Sequence, residues 1–301
     1  MRSYFLFANS GKPETIPVVK SFANECLFRD CKVYLEGWLR DLLGIGQAMK
    51  INELNDSIDA VVSFGGDGTL LRVLPSAARN RVPVLGVNLG HTGFLLEIEP
   101  DEMAFALEEM LNHRHKVYSR SMLSCRVSDL APQLVMNEVA LTRGQSPASL
   151  VVDVWYNDEL VYTIHGDGVL VSTPTGTTGY SLSAGGPIVS PSVPCQVVSP
   201  ICTHIMHQRP VVLPSGGAIR LNVRKNRGLK YQLSLDSQKV YELDADQQIV
   251  IKPAEETARF IYFKPQRFLE RLRIKQMEWS NHIYGGDPDE KHKTSGDTEF
   301  D

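Results

Sequence analysis

The feature that most constrains this chain is a glycine-rich turn with a single carboxylate, Gly65-Gly66-Asp67-Gly68-Thr69. It directly follows residues 60–64, a short β-branched run that is typical of a buried parallel strand. Residues 70–78 come next and have helical spacing. Glycines at a strand-to-helix turn let the backbone approach a phosphate, and the helix amides then face the anion. This order predicts an α/β domain that binds a phosphorylated ligand.

The carboxylate in this turn stands where a phosphate is expected. Repulsion makes that arrangement costly unless Asp67 acts on a hydroxyl or binds a metal, so Asp67 is the candidate general base. The alternative is an ordinary turn in which Asp67 caps the helix. The turn matches neither the Walker P-loop nor the dinucleotide-binding Gly-x-Gly-x-x-Gly pattern. The phosphate-binding backbone is expected at Gly65, Gly66, Gly68 and Thr69.

The first third of the chain alternates strand-like and helix-like segments, which predicts an α/β domain with an open parallel sheet. The strand-like runs are residues 4–8, 60–64 and 82–87, and the helix-like runs are residues 16–27, 70–78 and 101–111. A second glycine-rich turn, residues 86–94, is expected beside the first, at the edge where open α/β sheets bind ligands. Pro75 is expected to kink the helix after the first turn or end it early. Arg72, one helical turn in, is placed to reach a phosphate.

After about residue 118 the pattern changes to alternating strands separated by polar turns, which predicts an all-β sandwich. The predicted strands are residues 151–156, 160–164, 218–223, 231–235, 240–243, 249–252 and 260–263. A helix over residues 266–277 is expected to return to the first domain. The predicted division is therefore residues 1–117 plus 264–284, residues 118–263, and a disordered polar tail over residues 285–301.

Small, hydroxylated and glycine residues crowd residues 165–187 around one short apolar strand. They bury little apolar area and cost backbone entropy, so core packing gives no reason for them. Hydroxyls suit hydrogen bonding to an adenine or ribose, and Tyr180 suits stacking on a base; a turn-rich β corner is the alternative. The pair Asn137-Glu138 interrupts an apolar run, and a ribose diol would satisfy both side chains unless they are simply exposed.

Composition limits the possible partners. A formal net charge of -4 argues against a broad nucleic-acid surface. The 5 cysteines include no Cys-x-x-Cys pair, so neither a disulfide framework nor a zinc site is predicted, and no residue is assigned as a metal ligand. No run approaches the roughly 18 apolar residues of a membrane span. We therefore expect a cytoplasmic protein with no membrane or nucleic-acid partner.

Taken in order and spacing, these motifs together with Asp236-Ser237-Gln238 resemble those of bacterial NAD kinases, over about residues 4–268. The Gly-Gly-Asp-Gly-Thr motif is shared with lipid kinases and resembles one in phosphofructokinases. The stretch Ser172-Thr173-Pro174-Thr175-Gly176 is far more specific to NAD kinases. The resemblance implies transfer of the γ-phosphoryl group of ATP, with Mg²⁺, to the 2′-hydroxyl of the adenosine ribose of NAD. It also implies a homodimer or homotetramer.

The resemblance assigns roles to individual positions. Asp67 matches the residue that takes the 2′-hydroxyl proton, Asn137 and Glu138 match ligands of the ribose and base, and Asp167 matches a ligand on the nicotinamide side. His165 stands where a related enzyme carries a basic residue. The remaining expected NAD contacts are Gly68, Arg72, Thr175, Thr178, Gly179, Tyr180, Ser181, Leu182, Ser183 and Gln238.

Two other functions remain open at this point. A lipid kinase of the diacylglycerol type would share the Gly-Gly-Asp-Gly-Thr turn, but it should lack the hydroxyl-rich segment. A non-catalytic NADP(H)-binding sensor would have lost its reactive groups, whereas Asp67 and the other matched motifs are all present. An assay for NADP formation separates the three functions.

Overall fold

The computed structural model describes residues 1–90, 93–128, 130–146, 148–224, 230–244, 247–264 and 268–284. Met1–Lys264 forms one compact unit and the chain from Pro265 belongs to a second. The strands are β1 (Ser3–Ala8), β2 (Lys32–Leu35), β3 (Gln47–Ala48), β4 (Ala60–Gly65), β5 (Val84–Asn88), β6 (Lys116–Val127), β7 (Gln133–Val135), β8 (Glu138–Thr142), β9 (Leu150–Tyr156), β10 (Glu159–Gly166), β11 (Gly168–Ser172), β12 (Cys195–Ile201), β13 (Val211–Pro214), β14 (Ile219–Val223), β15 (Tyr231–Leu235), β16 (Lys239–Leu243) and β17 (Ile249–Tyr262). The α-helices are α1 (Ile16–Phe28), α2 (Gly37–Leu43), α3 (Asp67–Arg79), α4 (Met103–Leu111), α5 (Tyr180–Ser183) and α6 (Phe268–Tyr284).

A parallel sheet of order β5-β4-β1-β2-β3 forms the first part of the fold. Every residue of β1 and β4 is buried, because helices cover both faces of the sheet. Leu6 lies in one apolar cluster with residues of α1 and α4, whereas Phe5 on the opposite face clusters with residues of α3. The predicted open parallel α/β sheet is confirmed.

The helix that follows the glycine-rich turn does not end at its proline. α3 continues through Pro75 to Arg79, so of the two expected effects, a kink or an early end, the early end does not occur. Proline removes the hydrogen bond to the carbonyl of Leu71, four residues earlier. Leu74 and Ala77, on either side of the proline, are both buried. Their packing holds the helix together across the missing bond.

The antiparallel part is a sandwich of two sheets. One sheet has the order β13-β12-β11-β8-β15-β16. It faces the continuation of the parallel sheet through β17, β14, β9 and β10, with β6 also paired to β17. Alternate residues point into the shared core, as Val152 and Val154 of β9 do. The predicted β-sandwich is confirmed, and β17 joins it to the first sheet because Phe260 pairs in parallel with Val84.

Two predicted strands are one in the structure. Residues 249–252 and 260–263 were expected to be separate, yet β17 runs continuously beside β6. Its register shifts between Pro253 and Thr257. Proline cannot donate to the ladder, and polar residues fill the irregular stretch, so the sequence there looks like a loop.

The predicted C-terminal helix is present as α6 in the second unit. The proposed domain limits at residues 117 and 263 remain a prediction. Residues 285–301, predicted to be a disordered tail, lie outside the described residues. Among the described helices, none has the length and apolar character needed to cross a bilayer.

Candidate functional site

The parallel sheet has a switch point between β1 and β4. From β1 the chain passes through α1 to β2 on one side, and from β4 it passes through α3 to β5 on the other. In open α/β sheets, ligands bind outside the carboxyl ends of the strands at such a point. Asn9 follows β1 and Gly66 follows β4 at this edge. The glycine-rich turn therefore lies where the fold itself predicts a ligand.

The turn after β4 requires glycine at its first position. Gly65 has φ 150°, and a Cβ placed there would lie 2.5 Å from the hydroxyl oxygen of Thr69. Thr69 is buried, and its amide donates to the carbonyl of Gly66 at 2.9 Å. Gly68 is exposed. The backbone can therefore turn tightly into α3 while Gly68 remains accessible.

The carboxylate of Asp67 does not cap its own helix. Gly66 occupies the N-cap position, where no side chain forms a capping hydrogen bond. The Asp67 carboxylate instead accepts the amide of Phe94 at 2.9 Å and the amide of Leu95 at 3.2 Å, both in the chain after β5. Asp67 is thus fixed by a second turn. We call residues 65–69 with residues 93–95 the reaction turn.

The approach of the second turn to Asp67 is very close. A Cβ at Gly93 would lie 2.1 Å from Oδ1 of Asp67, so only glycine fits. At Gly90, four residues before the first amide that contacts Asp67, a Cβ would meet nothing within 4 Å. The amide of Leu89 donates to the carbonyl of Gly65 and ties the two turns together. His91 and Thr92, within this predicted turn, lie outside the described residues.

Arg72 reaches the loop after β1. Its Nη1 donates to Oδ1 of Asn9 at 3.1 Å, and its guanidinium lies 5.8 Å from the ring centroid of Phe7. The side chain is exposed. This contact keeps a cation at the same edge of the sheet as the reaction turn, where it is able to attract a phosphate.

The pair Asn137-Glu138 lies where the chain passes from one sheet to the other. β7 pairs with β6 in the first sheet, and β8 pairs with β11 in the second. We call residues 136–138 the sheet crossover. Met136 belongs to the same apolar cluster as Leu70 of α3, which brings the crossover to the first turns of that helix. Asn137 is half-buried and Glu138 is buried.

Asp236 forms hydrogen bonds with the main chain of the crossover. It is buried, and its carboxylate accepts the amides of Met136 and Asn137 at 2.7 Å each and the amide of Glu138 at 3.1 Å. The sequence motif contained Asp236 but assigned it no role. The feature next to it along the chain is the turn at Asp236-Ser237, where both residues have positive φ.

Two buried carboxyl groups therefore meet at the crossover. Burial, and then the charge of Asp236, raise the pKa of Glu138 to about 7, although the amide of Tyr180 opposes this shift. Burial raises the pKa of Asp236 to about 6 against its three amide donors. Within the described part of the chain, Oε2 of Glu138 is buried without a hydrogen-bond partner. A ligand hydroxyl or amino group would satisfy it.

Several hydroxyls of the small-residue segment form hydrogen bonds with the protein itself. Thr177 donates to the carbonyl of Pro174 at 2.6 Å and accepts the amide of Val189 at 3.0 Å. Thr178 donates to the carbonyl of Thr175, which is itself buried. These hydroxyls shape the loop, and they do so in place of the backbone ladder that a strand would have.

A second pair of hydroxyls in this segment shows the same internal use. Ser181 is fully buried, and its hydroxyl lies 3.1 Å from that of Ser199. Contact between a nucleotide and Ser181 would therefore involve its main chain. The hydroxyl-rich composition thus reflects the folding of the loop in addition to any ligand contacts.

The outer face of the same segment is open. Tyr180 is 41% exposed, and Ser183 is exposed while Leu182 is half-buried. Gly179 lies against the crossover, because a Cβ there would be 3.1 Å from Oε2 of Glu138. The structure thus brings Gly179 and Tyr180 together with the pair Asn137-Glu138. Gln238, in the turn that carries Asp236, is exposed.

Asp167 and His165 are not part of this group. Asp167 precedes β11, whereas Glu138 pairs with Ser172 at the other end of that strand. Gly168–Ser172 separates them by about 13 Å of strand. The Asp167 carboxylate lies 2.7 Å from Nε of Arg143, and His165 is exposed. Within one chain, these two predicted ligands lie away from the crossover.

Comparison with known proteins identifies the family. Residues 46–115 match the model of the ATP-NAD kinase N-terminal domain, and residues 136–263 match that of the C-terminal domain. The chain belongs to the NAD kinase family. A NAD kinase of Caldanaerobacter subterraneus subsp. tengcongensis is 34% identical over 284 residues, which cover 92% of this chain and 100% of that protein. A NAD kinase of Trichlorobacter lovleyi is 32% identical over 93% of this chain and 99% of its own length.

Solved structures of the family share the fold. An NAD kinase from Archaeoglobus fulgidus in complex with ATP has a TM-score of 0.73 and 27% identity, covering 91% of this chain and 98% of its own. Yeast NADH kinase complexed with NADH has a TM-score of 0.85 at 22% identity, and the match covers 98% of this chain and 90% of the yeast chain. The arrangement of the parallel sheet and sandwich is thus that of the NAD kinase fold.

Proposed function

We propose that this enzyme transfers the γ-phosphoryl group of ATP to the 2′-hydroxyl of the adenosine ribose of NAD, giving NADP. The observation that carries the proposal is the carboxylate of Asp67. It lies at the start of α3, at the switch point of the sheet, and it is oriented by the amides of Phe94 and Leu95. A general base needs this combination of accessibility and fixed orientation.

Asp67 is the proposed base for the ribose hydroxyl. An alkoxide is unfavourable at neutral pH, and a positioned base typically contributes ~10²–10⁴-fold to the rate. The amides of Phe94 and Leu95 hold the carboxylate in one orientation while the hydroxyl approaches. The exposed backbone at Gly68 and the side chain of Arg72 supply positive potential for phosphates. Alignment of the two substrates provides most of the remaining acceleration.

The proposed NAD site extends from the reaction turn to the crossover. Asn137 and Glu138 hold the ribose and base, and the unpaired Oε2 of Glu138 supports this role. Tyr180 stacks on the base through its exposed ring. The main chain of residues 178–183, together with Thr175 and Gln238, completes the proposed pocket.

ATP is the proposed donor and enters with Mg²⁺ as a metal–nucleotide substrate. Among the described residues, no cluster of three or more His, Cys, Asp or Glu side chains is able to hold a metal. Mg²⁺ usually binds through one or two carboxylates and the phosphates of the substrate. The ion neutralises charge on the transferring group when it is bound.

We further propose a cytoplasmic homodimer or homotetramer. Asp167 and His165 match NAD-binding positions by resemblance, yet they lie at the far end of β11 from Glu138. In such an assembly they serve the site of a second copy. Light scattering of the purified enzyme, compared with its 33.5 kDa chain mass, measures this state. A monomer that forms NADP would contradict it.

The proposed function is tested by one assay. Purified enzyme is incubated with NAD, ATP and Mg²⁺, and NADP is detected through an NADP-specific dehydrogenase. The expected result is NADP formation that depends on both nucleotides. Phosphorylation of diacylglycerol without NADP formation would indicate the lipid kinase, and NADP(H) binding without turnover would indicate the sensor.

A further inference from the structure

The sheet crossover has an unusual pattern of main-chain hydrogen bonds. Its three amides donate to the carboxylate of Asp236. Its three carbonyls accept from two residues: that of Met136 from the Thr173 hydroxyl at 2.7 Å, that of Asn137 from the Thr173 amide at 2.8 Å, and that of Glu138 from the Asp236 amide at 3.0 Å. Asp236 and Thr173 therefore satisfy all six main-chain polar groups of the crossover.

The need for these partners follows from the change of sheet. A strand that leaves one sheet for another loses its ladder, and its buried amides and carbonyls need other partners. Asp236 supplies two acceptor oxygens for three amides, and its φ of 50° turns the carboxylate back onto the crossover. A buried carboxylate is costly unless it is well hydrogen-bonded, and the three amides of the crossover provide these hydrogen bonds.

Thr173 connects the crossover to the hydroxyl-rich segment. Its hydroxyl donates to Met136 and also accepts the amide of Gly176 at 3.0 Å. Gly176 packs directly on the crossover, since a Cβ there would lie 2.1 Å from the carbonyl oxygen of Asn137. Thr173 thus connects the backbone of the crossover to the loop that leads to Tyr180.

We propose that Asp236, together with Thr173, is a positioning residue for NAD: it fixes the crossover so that the side chains of Asn137 and Glu138 meet the adenosine part of the dinucleotide. This inference rests on the proposed function. Asp236 makes no contact with the substrate itself, and it acts through the two residues that do. Its removal should weaken NAD binding and leave the donor side of the reaction unchanged.

The test is a double-mutant cycle on NAD binding, measured by isothermal titration calorimetry. Asp236→Asn keeps the turn, because asparagine tolerates positive φ, but it loses one of the two acceptor oxygens. We expect NAD affinity to fall roughly 10-fold, with KM for ATP within about twofold. In an Asn137→Ala/Glu138→Gln background, adding Asp236→Asn should change NAD affinity by less than about twofold.

Thr173 provides an independent variant should Asp236→Asn fold poorly. Thr173→Val removes the hydroxyl that bridges Met136 and Gly176, and it should weaken NAD binding several-fold, roughly 3–10-fold. Thr173→Ser restores the hydroxyl and should restore affinity. Leu221→Ala, in β14 of the other sheet, is the control for general destabilisation, and it should lower the melting temperature without changing NAD affinity.

Two results would overturn the inference. One is an Asp236→Asn variant that melts earlier but binds NAD as the wild type does. The other is a loss of affinity that is equally large in the Asn137→Ala/Glu138→Gln background, since Asp236 would then act by another route. Both results are independent of turnover. NADP formation by the wild-type enzyme, measured separately, decides the proposed function.

Discussion

In the reaction turn and at the sheet crossover, main-chain amides hold the carboxylate of an aspartate, but the two carboxylates serve different purposes. Asp67 is half-buried, and two amides from another loop orient it beside an accessible backbone. Asp236 is buried and uses both oxygens on three amides of the protein's own chain. A motif rich in polar residues can therefore serve chemistry in one place and local folding in the other. The hydrogen-bond partners distinguish the two cases.

The largest expected effect is at Asp67. Asp67→Asn should keep the fold and much of the NAD affinity while kcat falls by about 10²-fold or more, because the base is lost. KM for NAD should stay unchanged or fall, since a negative charge near the pyrophosphate is removed. Steady-state kinetics with a thermal melt provide the measurement. Asp56→Asn, at an exposed turn, is the control and should retain full activity.

Near-wild-type turnover of Asp67→Asn would contradict the proposed base. It would mean that the carboxylate only ties the two turns together, a role in which asparagine still offers one acceptor to Phe94 or Leu95. The reaction turn would then resemble the crossover, and the comparison between them would fail.

The next effect concerns the pH dependence of stability at the crossover. Burial raises the pKa of Glu138 from 4.5 to about 7, so the folded protein holds a proton there that the unfolded chain releases. Stability from this group is therefore highest below about pH 4.5 and falls as pH rises to about 7. The full shift in the pKa of Glu138 corresponds to a change of about 3 kcal/mol in the free energy of unfolding. Glu138→Gln should remove this slope in urea unfolding between pH 5 and 8.

The matched control for Glu138 is Glu255→Gln, at an exposed glutamate, which should leave the slope unchanged. Asp236, whose pKa burial raises to about 6, should still contribute a smaller slope below that pH in both variants. If Glu138→Gln and wild type lose stability equally from pH 5 to 8, then Glu138 is ionised throughout. An ionised carboxylate would then cost no more free energy at the crossover than in the reaction turn.

A smaller effect is expected from Gly93, which tests the orientation of Asp67 without removing its carboxylate. In Gly93→Ala the new methyl group meets Oδ1 of Asp67 and displaces it, so kcat should fall about 10-fold. Gly90→Ala adds the same methyl group in open space and should retain activity. Equal activity of the two variants would show that the position of the carboxylate is unimportant.

The smallest effect separates two neighbours in the hydroxyl-rich segment. Tyr180→Ala should weaken NAD binding by roughly 0.5–1.5 kcal/mol, the usual contribution of a stacked aromatic pair. Ser181→Ala removes a buried hydroxyl, so it should cost about 1 kcal/mol of stability and leave NAD affinity unchanged. Calorimetric titration and thermal melts measure both. Unchanged NAD affinity in a well-folded Tyr180→Ala variant would make Tyr180 a structural residue.

Much of the fold follows from local sequence patterns. Apolar runs and glycine-rich turns identified three strands of the parallel sheet (β1, β4 and β5), the switch to antiparallel strands after residue 118 and the helix now seen as α6. The short strands β2 and β3 were not predicted. Two further exceptions lie where tertiary packing overrides a local signal. α3 continues through Pro75 because buried residues support both sides of it, and β17 crosses a polar stretch because β6 pairs with it on either side.

The amino-acid sequence alone identifies the residues that are chemically able to act: Asp67 in its turn, the pair Asn137-Glu138, and the hydroxyl-rich segment that indicates the family. How these residues are held depends on the tertiary structure. The amide of Phe94 lies 27 positions from Asp67, and the amide of Met136 lies 100 positions from Asp236. It likewise placed Asp167 at the opposite end of β11 from Glu138. Periodicity and turn composition describe neighbours along the chain, whereas these contacts depend on which strands pair and in what register.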